Sequence, residues 1–434
     1  MEERRRAGED TTTAPHGRWG HFVRPGQARP FGRQDRRAGW SRRVDSQAAP
    51  DKNPEPEPPR ETANGQQEPE TPTPRGGSSL SGDRVPGAGP AAFPGWPAIL
   101  RSLFNGQDLP RDQAQRCMGQ ILDGSATSAQ IAAFAVALRM KGEGVDELAG
   151  MLDAMLEAAV LVPLEPGLAV IDTCGTGGDG SHSINVSTLA ALVVAGAGGY
   201  VCKHGNRAAS SACGSADVLE ALGVTIEVGP EVVARCVSEA GMGFCFAPRF
   251  HASMRHAGPT RREIGVPTAF NFLGPIANPG RVRRQVVGVS DASMADRVVA
   301  VLDRYGAERA MVVFGHDGMD ELTTTTTSTV VELRQGQIRR YEVDPRALGL
   351  APATKAELAG GDSATNAEHA LRVLGGQRGP HRDVVLLNAA AALVVAGLVE
   401  ELGEGLELAV SAIDSGGAAA ALDRLRTLSR PVAP

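Results

Sequence analysis

From residue 168 onward the sequence repeatedly passes from a short apolar segment, through a polar loop that contains glycine, into an apolar helix. This alternation of predicted strands and helices is typical of a parallel sheet that is covered by helices. Glycine is abundant at 53 residues and aromatic residues make up only 4%, which also favours helices and a sheet over a β-sandwich. We therefore predict an α/β domain with a central, mostly parallel sheet.

The apolar segments and the glycine turns locate the individual elements. The predicted strands are residues 168–172, 200–203, 285–289 and 309–314. The predicted helices are residues 187–197, 216–222, 230–239 and 294–304. Residues 330–333 and 338–341 flank a Gln-Gly turn and predict a hairpin. The last 65 or so residues are rich in Ala and Leu and predict further helices.

Before this region lies a stretch with helical periodicity only. Amphipathic helices are predicted over residues 99–104, 111–122, 128–139 and 145–159, with Ser128 as the N-cap of the third. The predicted domain organisation is thus a small, mostly helical domain over residues 94–165 and a larger α/β catalytic domain over residues 166–434.

The first 93 residues have a different composition from the rest. They contain 13 of the 29 prolines and many arginines, and they show no apolar periodicity. Such a segment buries too little apolar surface to offset the entropy lost on ordering. We predict that residues 1–93 form a disordered extension.

Composition also limits the partners. The net charge is −6, so overall charge gives no reason to expect a nucleic acid or a membrane surface as a partner. No apolar segment reaches the roughly 18 residues needed to span a bilayer. The six cysteines form no CxxC pair, which is typical of reduced thiols and predicts a cytoplasmic protein. A phosphate ligand must then be bound by helix N-termini, a few basic side chains and metal ions.

The most informative segment follows the first predicted strand and reads DTCGTGGDGSHSINVST over residues 172–188. Its four glycines, Gly175, Gly177, Gly178 and Gly180, let the backbone approach a ligand and turn its N–H groups toward it. The helix that follows adds unpaired N–H groups and a positive dipole end. The spacing matches neither the dinucleotide fingerprint nor the P-loop. The segment predicts an anion site, although a structural glycine turn is the alternative.

Two more loops follow predicted strands and carry charged groups. KHGNRAASS, residues 203–211, combines two cations, an amide and two hydroxyls, which suit a phosphate. Asp320 and Glu321 are hard oxygen ligands at the carboxyl end of a strand and suit magnesium on a pyrophosphate. By themselves, the first loop is also compatible with a solvated loop and the acidic pair with a surface pair.

A fourth segment has basic residues before an apolar stretch braced by Pro and Gly. It runs from His251 through Arg261 and into FNFLGPIANP, residues 270–279. Apolar walls with one cation suit a planar acid. The alternative is a surface helix with solvated basic residues.

Together these four segments resemble the anthranilate phosphoribosyltransferase family, which has the nucleoside phosphorylase-like phosphoribosyltransferase fold. The resemblance extends from residue 96 to about residue 430 and rests on GTGGDG, KHGNRAASS, DGMDE, and RREIG leading into FNFLGP. It implies a glycosyltransferase of tryptophan biosynthesis that uses Mg²⁺, moves the phosphoribosyl group of phosphoribosyl pyrophosphate to the amine of anthranilate, and forms a homodimer through its helical domain.

The resemblance also implies site residues. Those for phosphoribosyl pyrophosphate are Gly175, Gly178, Asp179, Ser183, Asn185, Val186, Ser187, Thr188, Lys203, His204, Gly205, Asn206, Arg207, Ala208, Ala209, Ser210, Ser211 and Ser215. Those for anthranilate are Gly175, Asn206, His251 and Arg261. Those for magnesium are Ser187, Asp320 and Glu321. The implied catalytic residues are Lys203, Asn206 and Arg261.

Three positions depart from the commoner family pattern. Ser183 stands where Thr is usual and keeps the hydroxyl, Ala252 replaces a Pro after His251, and residues 323–327 form a run of threonines. We expect the last two to alter the order of their loops.

The implied reaction is displacement of pyrophosphate from the anomeric carbon, with Lys203 and magnesium neutralising the leaving group and Arg261 pairing with the anthranilate carboxylate. Two other functions remain as alternatives. A pyrimidine nucleoside phosphorylase of the same fold is disfavoured by KHGNR and by the acidic pair. A non-enzymatic relative that binds nucleic acid is disfavoured because the chain is acidic after residue 93 and keeps His251 and Arg261.

Overall fold

The computed structural model describes residues 93–208 and 211–430. Apart from Phe93, the predicted disordered extension therefore lies outside the described residues, as do Ala209 and Ser210. Phe93 packs edge-on against Trp96 with 5.9 Å between ring centroids.

The N-terminal region is helical, as predicted. Its helices are α1 (Trp96–Phe104), α2 (Arg111–Leu122), α3 (Ser128–Lys141) and α4 (Val145–Glu157). The prediction of Ser128 as the N-cap of α3 is wrong by one residue. Thr127 is the N-cap, because its hydroxyl accepts the Gln130 N–H while the Gln130 side chain accepts the Thr127 N–H. This reciprocal pair satisfies two N–H groups that the helix leaves open.

A seven-stranded sheet follows. Its strands are β1 (Val170–Gly175), β2 (Tyr200–Gly205), β3 (Met242–Phe246), β4 (Arg284–Gly288), β5 (Arg309–Gly315), β6 (Ser328–Arg334) and β7 (Gln337–Val343). The spatial order is β3-β2-β1-β4-β5-β6-β7. The first five strands in that order are parallel, and β6 and β7 add an antiparallel hairpin at one edge. The predicted mostly parallel sheet and its hairpin are confirmed.

The remaining helices connect the strands and extend the C-terminal part. They are α5 (Val186–Gly196), α6 (Ser215–Ala221), α7 (Pro230–Arg235), α8 (Ala247–Phe250), α9 (Gly258–Ile264), α10 (Ala269–Ile276), α11 (Ala295–Arg304), α12 (Lys355–Leu358), α13 (Ser363–Leu374), α14 (Pro380–Ala396), α15 (Leu402–Asp414) and α16 (Gly417–Leu428). The sequence did not predict β3, α8, α10 or α12, and it predicted α9 only as the alternative of a surface helix. Every helix in these described ranges is too short or too polar to cross a membrane.

Two cores lie on opposite faces of the sheet. Val286 of β4 packs with α5, α14, α15 and α16 on one face. Val287, its neighbour in the chain, packs with the N-terminal helices and with α10 and α11 on the other face. Successive strand residues point to opposite faces, so both cores are built on the same central strands. The N-terminal helices thus share their core with helices from the α/β part of the chain.

A glycine sets the distance between α2 and α4. A Cβ atom on Gly150 of α4 would lie 2.1 Å from the carbonyl oxygen of Arg111. By contrast, a Cβ on Gly119 of α2 would meet no atom within 4 Å. Gly150 is therefore required for close packing of the two helices, whereas Gly119 is not.

We expect Gly150→Ala to lower the free energy of unfolding by about 1–3 kcal/mol, because the new methyl group forces α2 and α4 apart. The matched control Gly119→Ala adds the same methyl group in open space and should raise it by roughly 0.5–1 kcal/mol through helix propensity. Urea denaturation of the two variants measures both values. Changes of the same sign would contradict this account of the α2–α4 contact.

Candidate active site

Two loops that lie far apart in the sequence meet where the parallel strands end. The Gly177 N–H, after β1, donates a 2.6 Å hydrogen bond to Asp320 Oδ2, after β5. The Ser187 N–H, in the first turn of α5, donates over 3.2 Å to Glu321 Oε1. The carboxyl ends of parallel strands share one edge of the sheet, where ligands of such folds bind. The structure therefore brings the glycine-rich segment and the acidic pair together.

Two glycines allow this close approach. A Cβ atom on Gly175, the last residue of β1, would lie 2.3 Å from Asp320 Oδ2. A Cβ on Gly288, the last residue of β4, would lie 1.6 Å from the carbonyl oxygen of Asp320. A larger residue at Gly288 must displace the backbone of the loop that carries Asp320, and one at Gly175 must displace the Asp320 carboxylate. Sequence reasoning identified Gly175 but missed Gly288, which lies outside every motif.

The next glycines of the loop are needed for a different reason. Gly177, Gly178 and Gly180 have φ angles of 65°, 75° and 65°, and a Cβ atom at any of them would meet nothing within 4 Å. In this left-handed conformation only glycine is unstrained. Asp179 lies between them, and its carboxylate accepts the Ser181 N–H at 3.2 Å. The three glycines thus let the loop backbone turn without strain, as an anion cradle requires.

Lys203, near the end of β2, is the buried cation of this edge, with 1% of its surface exposed. Its ammonium donates to the carbonyl oxygen of Thr173 and, over 3.3 Å, to Ser187 Oγ. Ser187 therefore contacts Lys203 through its hydroxyl and Glu321 through its N–H. Within the described residues these hydrogen bonds of Lys203 go to neutral atoms, while its charge opposes, from a distance, the rise in pKa that burial causes at the Asp172 and Glu321 carboxyl groups.

The acidic pair is held in an unfavourable environment for charge. Burial and the nearby Asp179 carboxylate raise the pKa of Asp320 to about 7. Burial and the charge of Asp320 raise the pKa of Glu321 to about 8. Both groups are fully ionised near neutral pH only when a cation offsets their repulsion. Within residues 93–208 and 211–430, no three His, Cys, Asp or Glu side chains are placed to hold a metal ion. A cation here would need additional oxygen ligands.

The threonine run, 323–327, shapes the loop that carries the acidic pair. Thr323 and Thr325 both donate through their hydroxyls to Asp317 Oδ2, at 2.9 and 2.6 Å. The Thr327 hydroxyl and His316 Nδ1 are 2.8 Å apart, and the His316 N–H donates to the Thr327 carbonyl. These bonds close the loop on itself. The run, which in the sequence is only a departure from the family pattern, therefore orders this loop.

The second predicted phosphate loop follows β2. Its backbone is fixed by the Asp217 carboxylate, which accepts the N–H groups of Ala208 and Gly214, each at 2.9 Å. The carbonyl of Asn206 accepts the Ser215 hydroxyl at 3.2 Å, and the Asn206 side chain accepts the Arg207 N–H at 2.8 Å. Ser211 is exposed. The loop is thus held mainly from α6, with Asn206 on its exposed side.

Arg207 is already paired in this structure. Its guanidinium donates to Asp217 at 3.1 Å and to Glu220, and it lies over the Phe246 ring at 5.4 Å. Of the two predicted cations in this loop, only Lys203 is not bound to a carboxylate among the described residues.

Residues at the start of α5 contribute through different groups. Val186 and Thr188 are buried with 1% of their surface exposed, and the Thr188 hydroxyl has no hydrogen-bond partner among the described residues. The Asn185 side chain donates to the Cys213 carbonyl at 3.1 Å and accepts from Asn366 at 2.9 Å. Ser183 pairs in a β-bridge with Ala359. Asn366 was missed because it lies outside every motif.

The fourth segment forms two short helices, of which α9 carries Arg261 and Arg262 and α10 is apolar apart from one asparagine. Arg261 lies on α9 and its guanidinium lies 5.5 Å from the centre of the Phe270 ring on α10. Burial lowers the pKa of Arg261, and no described carboxylate offsets that effect. His251 is buried and its Nε2–H donates to the Ala277 carbonyl at 2.8 Å. Ala252, beside it, is exposed and begins a 3₁₀ turn.

His251 connects this segment to β2. Its ring centroid is 5.1 Å from that of His204, the residue after Lys203. Burial and the neighbouring His251 lower the pKa of His204 to about 3, so His204 is neutral. Among the described residues, no hydrogen bond joins Arg261 itself to the phosphate loops. The two predicted halves of the site therefore meet at the histidine pair.

A buried hydrogen-bond network of Asp172 and Asn278, which was not predicted from the sequence, supports β2. The Asp172 carboxylate accepts the His204 N–H at 3.1 Å and the Asn278 amide at 2.7 Å, and the same amide donates to the Cys202 carbonyl at 2.7 Å. Burial raises the pKa of Asp172 to about 6, although the charge of Lys203 opposes the shift. Asp172 and Asn278 both lie inside motifs quoted in the sequence analysis, but neither was assigned a role there.

The chain is similar to both parts of one enzyme family. Residues 167–419 match the model described as glycosyl transferase family, a/b domain. Residues 97–159 match the model described as the helical bundle domain of the glycosyl transferase family.

Curated relatives are similar over most of the chain. The anthranilate phosphoribosyltransferase of Salinispora arenicola (strain CNS-205) is 51% identical over 346 residues, which cover 78% of this chain and 98% of the relative. That of Moorella thermoacetica is 53% identical over 329 residues, which cover 76% and 96%.

Solved structures of the same enzyme are similar in fold. The anthranilate phosphoribosyltransferase of Thermus thermophilus superposes with a TM-score of 0.72 at 40% identity, over 76% of this chain and 99% of that one. The Saccharomyces cerevisiae enzyme in complex with phosphoribosyl pyrophosphate (PRPP) and Mg superposes with a TM-score of 0.70 at 26% identity, over 77% and 97%. The yeast enzyme was also solved in complex with 4-fluoroanthranilate.

Proposed function

The chain belongs to the anthranilate phosphoribosyltransferase family, and we propose that the loops at the carboxyl edge of its sheet carry out the family's reaction. The enzyme transfers the phosphoribosyl group of PRPP to the amine of anthranilate, which gives N-(5-phosphoribosyl)anthranilate and pyrophosphate, a step of tryptophan biosynthesis. The observation that carries the residue assignment is the contact of the glycine-rich loop with Asp320 and Glu321. The relatives support neither a nucleoside phosphorylase nor a nucleic-acid-binding protein.

The glycine-rich loop and α5 are the proposed binding site for the pyrophosphate group. The loop offers N–H groups at positive φ, and the first turn of α5 adds the helix N-terminus. Lys203 adds a positive charge to the pyrophosphate as it leaves. The Asn206 loop closes the same edge from the side of α6, and Asn206 and Gly175 lie where the loops after β2 and β1 begin.

The donor set fits magnesium. Asp320, Glu321 and the Ser187 hydroxyl are hard oxygen ligands, and Mg²⁺ in such sites is usually held by one or two carboxylates together with substrate phosphates. A cation held in this way would offset the burial and repulsion that raise the pKa values of Asp320 and Glu321. It would also explain why no third His, Cys, Asp or Glu side chain is placed beside them among the described residues. When bound, magnesium supplies positive charge against the charge that develops on the leaving pyrophosphate. Asp320 and Glu321 supply the negative charge that holds the cation.

The acceptor site is proposed between α9, α10 and the histidine pair. Arg261 has a guanidinium without a carboxylate partner in the described part of the chain and an aromatic ring beneath it. A planar aromatic acid offers the carboxylate that this guanidinium lacks, in a bidentate geometry. His251 and the neutral His204 form a wall of the same region. Arg261 would thereby aim the amine at the sugar, so positioning contributes to the rate.

Arg261 is expected to serve anthranilate alone. Its replacement by Ala removes a charge-assisted pair, so the KM for anthranilate should rise roughly ten- to a hundredfold while the KM for PRPP hardly changes. Steady-state kinetics with each substrate varied in turn measures the two constants. Arg262→Ala is the matched control, because Arg262 is an exposed cation on the same helix. A weaker PRPP constant with an unchanged anthranilate constant would overturn the division of the site.

The acidic pair is expected to act through the metal. In Asp320→Asn/Glu321→Gln the shape of both side chains is kept but their charge is lost, so turnover at ordinary magnesium should fall by orders of magnitude. Loss of anthranilate fluorescence follows the reaction. The control Glu400→Gln/Glu401→Gln removes the same charge from an exposed pair and should leave turnover nearly unchanged. Near-normal rates in the first variant would refute the metal assignment.

A homodimer through the helical domain is also proposed. Phe104 of α1 and Met140 of α3 are 70% and 84% exposed, and Val136 lies one turn before Met140. Exposed large apolar side chains on two helices that pack together favour a protein interface. The cytoplasmic location remains a prediction, in keeping with six free cysteines.

We expect a second copy of the chain to cover this surface. Sedimentation velocity should show a dimer for the native chain and mostly monomer for Met140→Glu, which places a charge in the interface. The control Leu371→Glu changes an exposed leucine on α13 and should leave the dimer intact. A native chain that sediments as a monomer at micromolar concentration would contradict the proposal.

A further inference from the structure

Asn388 is the only polar residue in the segment of α14 from residue 384 to residue 396, which reads VVLLNAAAALVVA. The whole segment is buried, and Asn388 is 3% exposed. An amide in such surroundings is costly unless its groups are hydrogen-bonded. A buried asparagine here therefore calls for an explanation by its partners.

The partners lie in the loop of the acidic pair. Asn388 Oδ1 accepts the N–H of Leu322 at 3.0 Å, and Asn388 Nδ2 donates to the carbonyl of Leu322 at 2.7 Å. The same nitrogen donates to the Val384 carbonyl at 2.9 Å within its own helix. Both N–H donors of the amide and one lone pair of its oxygen are thus used.

This two-point contact fixes the chain directly after Glu321. The N–H of Leu322 belongs to the peptide group that joins Glu321 to Leu322, and the carbonyl of Leu322 belongs to the next one. Asn388 therefore holds two consecutive peptide planes. It also lines, with Glu321 and Ser187, a small cavity beneath the sheet edge.

The loop needs such an anchor because its acidic pair is held at a crowded strand end. The Asp320 carbonyl oxygen lies where a Cβ atom on Gly288 would be, and the Asp320 carboxylate accepts the Gly177 N–H at 2.6 Å. A neutral amide holds the backbone equally well whether or not a cation is present. The hydroxyl bonds of Thr323 and Thr325 close the loop on itself, whereas Asn388 ties it to a core helix 66 residues away.

We propose that Asn388 is a positioning residue that fixes Glu321 for the cation bound with PRPP, through its paired hydrogen bonds to Leu322. The proposal rests on the metal-holding role proposed above for Asp320 and Glu321.

The test is the effect of Mg²⁺ on PRPP affinity, measured by isothermal titration calorimetry of the full chain with and without Mg²⁺. Asn388→Leu keeps the volume and the apolar character of α14 but removes both bonds to Leu322. It should lower the Mg²⁺-dependent gain in PRPP affinity by roughly tenfold, the scale of one or two neutral hydrogen bonds. PRPP affinity without Mg²⁺, and the KM for anthranilate, should stay near their native values.

Two further variants make the outcome unambiguous. Leu393→Ala, a buried residue farther along α14, controls for lost stability and should leave the Mg²⁺-dependent gain unchanged at comparable loss of Tm. If Asn388→Leu does not fold, Asn388→Ala is used for the same measurement, because alanine is already common in α14 and fits its packing.

The outcomes separate this proposal from the function it rests on. If Asp320→Asn/Glu321→Gln keeps the Mg²⁺-dependent gain, the metal assignment itself is wrong, and the role of Asn388 falls with it. If Asp320→Asn/Glu321→Gln loses the Mg²⁺-dependent gain in PRPP affinity while a folded Asn388 variant keeps this gain, only the positioning role of Asn388 is overturned. A loss equal to that of Leu393→Ala would show that Asn388 acts through stability alone.

Discussion

The contact between the Asp320 backbone and the central strands is the constraint on which the rest of this edge depends. The Asp320 carbonyl sits where a side chain on Gly288 would be, and its carboxylate sits where one on Gly175 would be. Because β1 and β4 both end in glycine, the loop after β5 can approach the loop after β1. The hydrogen bond to the Gly177 N–H and the placement of Glu321 beside α5 both follow from that approach.

The site also shows how an acidic protein can bind a substrate with several negative charges. The carboxylates of Asp217, Asp317 and Asp320 accept backbone N–H groups and threonine hydroxyls of the site loops. Lys203 and Arg261 are left without a carboxylate within hydrogen-bonding distance among the described residues. Because these acidic groups accept mainly from neutral donors, the two cations can pair with the ligands. Arg207 is the exception, since it stabilises α6 instead.

Much of this architecture could be predicted from the sequence, because the strands are apolar segments bounded by glycine and the main loops follow them directly. β3 was missed since it begins at Met242, separated only by Gly241 from the helical turn Cys236–Ala240, and lacks a polar loop of its own. The helix α10 was missed because Gly274 and Pro275 interrupt its apolar sequence, whereas α9 corresponds to the surface helix that the sequence offered only as an alternative. Asn366 and its partner Asn185 are 181 residues apart, so no local pattern could reveal their bond. Arg207 had the right chemistry for phosphate, but its pairing depends on tertiary structure.

Because the sheet carries a core on each face, residues that are adjacent in the chain need not be energetically coupled. Val286 and Val287 are consecutive, yet the first belongs to the core with α5 and α14 and the second to the core with the N-terminal helices. A smaller residue at Val286 leaves a cavity in one core, and a smaller residue at Val287 leaves a cavity in the other. The losses in free energy of unfolding from the two substitutions should therefore add, as they do for remote sites. Val287 instead shares its core with Leu138, which lies far earlier in the sequence. Covariation within this protein would then follow the faces of the sheet and not the order of the residues.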